Sequence, residues 1–305
     1  MRLLAITIPQ RLRASVAGDH SPARHAWLAG LRAEIIELAD TWELRVGGAY
    51  LPGGQCAWVA PALGPAGERL ALKVGWRHPE AEHEADALRL WDGDGAVRCL
   101  ADRTSERSLA LLLERCEPGT PLSELQAEEQ QDLAVAGLLR RLWAHEPSAG
   151  HRFGPLEAMC AEWADDTESE LDAALPSVAT ARAAVVADPG LVRAGLELLR
   201  SLPRSAERSV LLCTDLHAEN VLAGDREPWL MIDPKPYLGD PAYDAVQHML
   251  NCEQRLAADP AGMARRMAEL LEIDPERVRL WLFARCAQES LYDETMVAVA
   301  RRLAP

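Results

Sequence analysis

SVLLCTDLHAENVLAGDREPWLMIDPKPYLGDPAYD, residues 209–244, is the stretch whose reading decides the fold. A short apolar run at 210–213 leads to Asp215, and Asn220 follows five residues later. Ala223-Gly224-Asp225 makes a turn, and a second apolar run at 229–232 stops at Asp233. Brief apolar runs bounded by turn residues read as strands. Two strands would thus deliver an Asp, an Asn and a second Asp to one end of a sheet. One Asp at a strand end is an ordinary turn residue. Three oxygen-bearing side chains, each punctuating an apolar run, form a candidate constellation.

The trio suits phosphoryl transfer. That chemistry needs a carboxylate to orient or accept the proton of the acceptor hydroxyl, and hard oxygen ligands for a Mg²⁺ that bridges phosphate oxygens. Protein kinases place Asp, then Asn five residues on, then an Asp on a following strand. On that pattern Asp215 is the base, and Asn220 and Asp233 are the metal ligands.

The segments Thr214-Asp215-Leu216-His217-Ala218-Glu219-Asn220, Ile232-Asp233-Pro234-Lys235-Pro236 and Gly239-Asp240-Pro241 resemble the aminoglycoside and hydroxyurea phosphotransferases, most of all the streptomycin 6-phosphotransferases. The resemblance runs from about residue 43 to the C-terminus and is most specific over 215–240. It implies a protein-kinase-like fold and ATP-dependent transfer to a small molecule. Many relatives carry His-Gly before the catalytic Asp, where this chain has Cys213-Thr214. The departure bears on support of the loop more than on the chemistry.

Working upstream, RLALKVGW at 69–76 alternates as a strand, with Leu70, Leu72 and Val74 on one face and Lys73 on the other. A mid-strand Lys ordinarily faces solvent; the resemblance makes Lys73 the lysine that holds the α/β-phosphates. A helix opening at Pro79 carries Glu80, Glu82 and Glu84 in its first turns, where acids also suit the helix dipole. Glu84, one turn before Leu88 and Trp91, is the chosen partner of Lys73, with Glu80 as fallback. ELRVGGAYLPGGQCAWV at 43–59 reads as strand, glycine turn, strand. Gly53 and Gly54 would let backbone N–H groups approach ATP phosphates, although a Gly-Gly hairpin turn is the plainer reading. No G-x-x-x-x-G-K-[ST] is present, which excludes a Walker-type loop. Strands are expected over 96–101 and 108–115. Backbone groups around Glu114 and Cys116 would then meet the adenine edge at an inter-lobe hinge. The boundary falls at Pro118-Gly119, giving lobes of 1–117 and 118–305. Nearer the N-terminus, 2–8 reads as a short strand and 25–39 as a helix, with Trp27, Leu28, Leu31, Ile35 and Leu38 at helical spacing.

Downstream, helices are expected over 127–145, 157–174, 192–202, 242–252, 260–271, 275–287 and 289–303. The helix at 157–174 is rich in acids. Such a run is usually a solvated face, yet Glu162 and Asp165 could line the rim of a site for a guanidinium-bearing substrate. Asp240 would brace the catalytic loop or contact substrate. His217 would pack within the loop, and Lys235 could approach the γ-phosphate.

Lys+Arg total 32 against 47 Asp+Glu, for a net charge of −15. That disfavours nucleic acid as a partner and suits a cationic antibiotic, although acidity alone also keeps proteins soluble. The seven cysteines form no C-x-x-C pair, no signal-peptide pattern opens the chain, and no apolar stretch approaches the ~20 residues of a membrane helix. The expectation is a cytoplasmic α/β (α+β) protein and a monomer: a β-rich N-terminal lobe and a mainly helical C-terminal lobe. It would use ATP and Mg²⁺ to phosphorylate the 6-hydroxyl of streptomycin. Hydroxyurea or a choline- or sugar-like metabolite is the alternative acceptor, and a non-catalytic pseudokinase the alternative class.

Overall fold

A computed structural model describes residues 6–178 and 188–305. They fall into two compact units. The first runs through Gly119 and also takes in Ala223–Leu230; the second holds Thr120–Leu222 and Met231–Pro305.

In the first unit, α1 (Gln10–Ala17) buries Leu12 and Val16, four residues apart on one face. Its two apolar side chains are too weak a pattern to announce a helix in the sequence. Residues 6–9 are not a strand. Instead Ile8 is buried and Thr7 accepts from the Trp58 indole at 3.0 Å; the rest of the strand expected over 2–8 lies outside the described residues. Helix α2 (Pro22–Thr41) starts where Ser21 Oγ accepts from Arg24 N with Pro22 in the first turn. It buries Trp27, Leu31, Ile35 and Leu38, each aliphatic contributing about 2 kcal/mol.

That face packs on a five-stranded antiparallel sheet, ordered β1 (Arg45–Val46), β2 (Ala57–Leu63), β3 (Arg69–Trp76), β5 (Ser108–Glu114), β4 (Cys99–Thr104). Leu70, Leu72 and Val74 join Trp58, Ala60 and the α2 residues in one core. The parity that buries them turns Lys73 to the other face, as the alternation predicts. The glycine stretch is less regular than expected. The first strand is only two residues long, and 47–56 forms a loop. Gly47 lies so close to β2 that a Cβ there would stand 3.0 Å from Pro61. The helix expected from Pro79 begins as a single tight turn, Pro79–Ala81, and becomes α3 only over Glu84–Trp91. Asp92 and Gly93, both at positive φ, end it.

The second unit is mainly helical: α4 (Leu122–Leu125), α5 (Glu128–Leu142), α6 (Leu156–Val178), α7 (Pro189–Ser201), α8 (Pro241–Leu250), α9 (Glu253–Ala258), α10 (Pro260–Leu271), α11 (Pro275–Glu289) and α12 (Glu294–Leu303). Four of these helices open on Asp-Pro. Asp188, Asp240, Asp259 and Asp274 each accept an N–H of the first turn, with proline in the next position. Helix α11 is the hub, burying Trp281, Leu282, Phe283 and Ala284. It crosses α7 so closely that a Cβ on Gly195 would collide with the Ala287 methyl at 2.3 Å. A small sheet, β6 (Gly154–Pro155), β10 (Tyr237–Gly239), β7 (Val210–Leu212), lies beside this bundle. The hairpin of β8 (Val221–Ala223) and β9 (Trp229–Met231) follows the loop after β7. Among the described residues no helix is long and apolar enough to cross a membrane.

Candidate active site

In the first unit, Glu84 grips Lys73. The ammonium donates to both carboxylate oxygens, at 2.7 and 2.6 Å. Glu84 is 3% exposed and Lys73 9%. A buried ion pair of this kind is poor value for stability alone, because desolvation consumes much of the Coulomb gain. What it does fix is the direction of the ammonium. Gly53, at φ +83°, sits in the adjoining loop in a conformation that costs a side-chain-bearing residue strain; Gly54 follows it. Glu114 ends β5, but its N–H already donates to the Arg98 carbonyl at 2.9 Å. That donor is therefore unavailable to an adenine. The Glu114 carboxylate holds Arg226 through two bonds of 2.9 and 3.0 Å. Cys116 is half-buried, and burial pushes its thiol up to about 12.

In the second unit, β7 hands the chain to a tightly tied loop. The Cys213 carbonyl accepts from the amides of both Asp215 and Lys235, each at 2.8 Å. Thr214 Oγ1 donates to the Lys235 carbonyl at 2.5 Å. Thr214 has φ +48° and Asp233 φ +54°. Left-handed backbone costs a β-branched residue about 1–2 kcal/mol. Glycine would adopt it freely, which gives physical content to the His-Gly of the resembling sequences; here the threonine hydroxyl's bond to Lys235 offsets the strain.

What holds Thr214 in place is Asp244, one turn into α8. Its carboxylate accepts from Cys213 N at 3.0 Å, Thr214 N at 2.7 Å and the Trp143 indole at 2.9 Å. Burial pushes this carboxyl up to about 6, against the pull of those three donors. Sequence reasoning missed Asp244. The available signal was an acid amid Ala242, Tyr243, Ala245 and Val246, on a helix buried nearly all round.

The structure brings Asp215, Asn220, Asp233 and Lys235 together. Asn220 Nδ2 donates to the Asp215 carbonyl at 3.0 Å, with its carboxylate at 3.4 Å. That arrangement leaves the Asn220 amide oxygen to face elsewhere. Asp233 Oδ1 accepts from Lys235 Nζ at 2.7 Å, and the same ammonium stands 3.9 Å from Asp215 Oδ2. A cation thus already lies between the two carboxylates. Asn220 and Asp233 fit Mg²⁺ as hard oxygen donors. Among the described residues no group of three or more His, Cys, Asp or Glu could hold an ion alone, so phosphate oxygens and water would complete its shell. His217 Nε2 is 3.7 Å from Asp215 Oδ1 and its Nδ1 is buried without a partner; burial holds its pKa down.

Asp215 has its pKa raised, first by burial and then by Asp233, against Lys235, His217 and Asn220. A second residue that the sequence gave no sign of touches it: Gln247 of α8 donates to Oδ1 at 3.2 Å. This donor favours the ionised form. Gln247→Leu is therefore expected to raise the Asp215 pKa and move the acid limb of the kcat/KM–pH profile upward, by about one pH unit. An unmoved limb would show that Gln247 does not tune the carboxylate.

Two further expectations concern Asp240 and the acids of α6. Asp240 is 2% exposed. It caps α8 through Ala242 N and accepts from Arg277 at 2.5 Å and the Trp281 indole at 2.6 Å. With both oxygens engaged in the interior it braces α8 against α11, and bracing is one of the two roles expected of it. Part of the acidic face of α6 is tied up within the chain. Asp165 and Glu168 share Arg200 at 2.7 Å each, Asp172 holds Arg193 and Glu157 holds Arg204. Asp165 works as a tie to α7, and Glu162 is simply exposed. A cleft of about 660 Å³ lined by Arg140, Trp143, Arg208, Asp240 and Arg277 contains none of Asp215, Asn220 and Asp233.

The profile of the aminoglycoside/hydroxyurea antibiotic resistance kinases matches residues 42–294. Streptomycin 6-kinase of Streptomyces griseus is 33% identical over 98% of this chain and 97% of its own. Hydroxyurea phosphotransferase of Kitasatospora aureofaciens is 34% identical over 89% of this chain and 75% of its own. Among solved structures, an aminoglycoside phosphotransferase superposes with a TM-score of 0.59 at 18% identity, over 90% of this chain and 96% of that one. Choline kinase from Streptococcus pneumoniae superposes with 0.57 at 16%, over 89% and 97%. The fold is protein-kinase-like, and the chain belongs to the aminoglycoside/hydroxyurea antibiotic resistance kinase family, phosphotransferases that act on a hydroxyl group.

Proposed function

We propose that the protein phosphorylates streptomycin on its 6-hydroxyl at the expense of ATP, inactivating the antibiotic. The observation that carries this reading is the loop holding Asp215, Asn220 and Asp233 in one cluster, in a chain with a 33%-identical streptomycin 6-kinase as a near-full-length relative.

Bound ATP supplies the phosphoryl group, and the Mg²⁺ held with it neutralises phosphate charge. Lys73, aimed by Glu84, positions the α/β-phosphates, and the backbone at Gly53 and Gly54 approaches them. The Asn220 amide oxygen and the Asp233 carboxylate would hold Mg²⁺. Lys235 shares the charge of Asp233 and stands beside Asp215, screening the two carboxylates from each other. Asp215 orients the acceptor hydroxyl and takes its proton. Its raised pKa brings it nearer to working pH, where a general base is most effective. Little covalent assistance is needed, because a loose phosphoryl transition state is served mainly by positioning and charge. The net charge of −15 raises the local concentration of a substrate carrying two guanidinium groups.

Hydroxyurea is the second reading, favoured by the 34%-identical phosphotransferase. Purified protein with labelled ATP and Mg²⁺ separates the two. Label is expected to transfer to streptomycin in preference to hydroxyurea or choline. Transfer only to hydroxyurea would replace the acceptor. No transfer to any acceptor, with ATP still bound, would point to a pseudokinase.

A further inference from the structure

The residues that precede the family profile, which starts at 42, make a set of contacts that the reaction does not explain. They converge on the glycine loop. The guanidinium of Arg24, on α2, reaches 31 positions along the chain to donate to the Gln55 carbonyl at 2.9 Å. The same nitrogen lies 2.9 Å from Ser15 Oγ on α1 and 3.6 Å from Cys56 Sγ. Its other terminal nitrogen donates to Asp19 at 2.6 Å. That bond, with the Ser21 N–H, holds the Asp19 carboxyl below its usual range. The Arg24 side chain is only 13% exposed. A few residues away, Pro9 packs on Gly53 so tightly that a Cβ there would stand 2.7 Å from the proline ring. Pro9 is in turn fixed by Arg13, whose Nε donates to the Ile8 carbonyl at 3.1 Å and whose N donates to the Pro9 carbonyl at 3.2 Å, and by the Trp58 indole on Thr7.

We infer that α1 and α2 form a clamp that preorganises the loop at 53–56 for nucleotide, with Arg24 as its positioning residue. The inference rests on the reading of Gly53 and Gly54 as phosphate-facing. A loop with two adjacent glycines is costly to order, roughly 1–2 kcal/mol for each residue fixed. Ordered only on binding, it would lose that amount from nucleotide affinity; held by Arg24 and Pro9, it is ordered during folding instead. One planar guanidinium suits the task because it meets Asp19, Ser15 and Gln55 at once. A lysine there can satisfy one or two of the three.

Three measurements on the full chain test this. Amide hydrogen exchange at 53–56 in nucleotide-free protein is expected to quicken in Arg24→Ala. The Kd of a non-hydrolysable ATP analogue and the KM for ATP are expected to rise about fivefold to tenfold, the size of one ordinary hydrogen bond. Under saturating ATP, kcat and the acceptor KM should hold, and Arg24→Lys should recover part of the loss. Pro9→Gly, which relaxes the second contact without touching the guanidinium, should move exchange and affinity in the same direction, and serves if Arg24→Ala folds poorly. Unchanged exchange at 53–56 in both variants would overturn the clamp. Faster exchange with unchanged analogue affinity would overturn its link to nucleotide. Failure of the underlying reading shows separately: bound analogue would then give no protection to 53–56 in the unaltered protein.

Discussion

Asp215→Asn is expected to lower kcat about 10²- to 10⁴-fold while the Kd for ATP stays within about twofold. The substitution keeps shape and hydrogen-bonding reach. It removes the carboxylate proposed as the base; the Asp233 carboxylate is engaged by Lys235 at 2.7 Å, and the lowered pKa of His217 makes its ring a weaker base. The groups proposed for phosphate and Mg²⁺, namely Lys73 with Glu84, Asn220 and Asp233, are left in place by the change. Steady-state kinetics with streptomycin, alongside calorimetric titration with ATP, reads both quantities. A variant that retained most of its kcat would remove Asp215 from the reaction. Equal losses in kcat and in ATP affinity would make it a binding residue instead.

Asp244→Ala should damage both fold and reaction, although Asp244 touches neither Asp215 nor any group proposed to meet substrate. The truncation leaves the Cys213 N–H, the Thr214 N–H and the Trp143 indole N–H without an acceptor in the interior. Each buried donor left unpaired costs about 1–3 kcal/mol, so a loss near 4 kcal/mol in all is expected. Water entering the new cavity would return part of it. Thr214, no longer tethered, is free to leave φ +48°, and Asp215 moves with it. A displacement of about 1 Å at a reacting group can remove 10²-fold in rate. The urea midpoint should fall and kcat should fall with it, whereas Asp244→Asn, which keeps an acceptor oxygen, should be intermediate in both. Normal kcat in a destabilised Asp244→Ala would show that the tether serves stability alone.

Much of this was legible in the sequence because it follows from local pattern. Parity along β3 separates Lys73 from Leu70, Leu72 and Val74. The helices expected from 260 and 275 begin there, whereas the Asp-Pro pairs that cap them and two others were not used as signals. Asp215 and Asp233 follow apolar runs, and Asn220 precedes one. The family resemblance adds their roles, and the choice of Glu84 over Glu80 followed from the apolar face one turn on. What escaped notice depends on side chains that meet only after the chain has folded. Gln247 has no periodic signature, and its contact with Asp215 arises because α8 runs back beside β7. Asp244 looked like one more acid near a helix start. The acids of α6 misled for the opposite reason. An acidic helix face reads as a place for a cation, and the cations turned out to be Arg193, Arg200 and Arg204 of this same chain. The partners of Asp240, Arg277 and Trp281, lie some forty residues downstream.

The tip of the β8–β9 hairpin has its own consequence for how this chain can be divided. Arg226 belongs to the first unit, although the sequence around it is flanked by the second. Its guanidinium meets the Glu114 carboxylate and the carbonyls of Gly93 and Ala96. No single cut therefore yields the β-rich unit whole. A fragment ending at Gly119 would lack the guanidinium that closes off the end of its own sheet. A gene fusion that grafted this unit onto a different helical partner would have to bring residues 223–230 along as a separate exon-like insert.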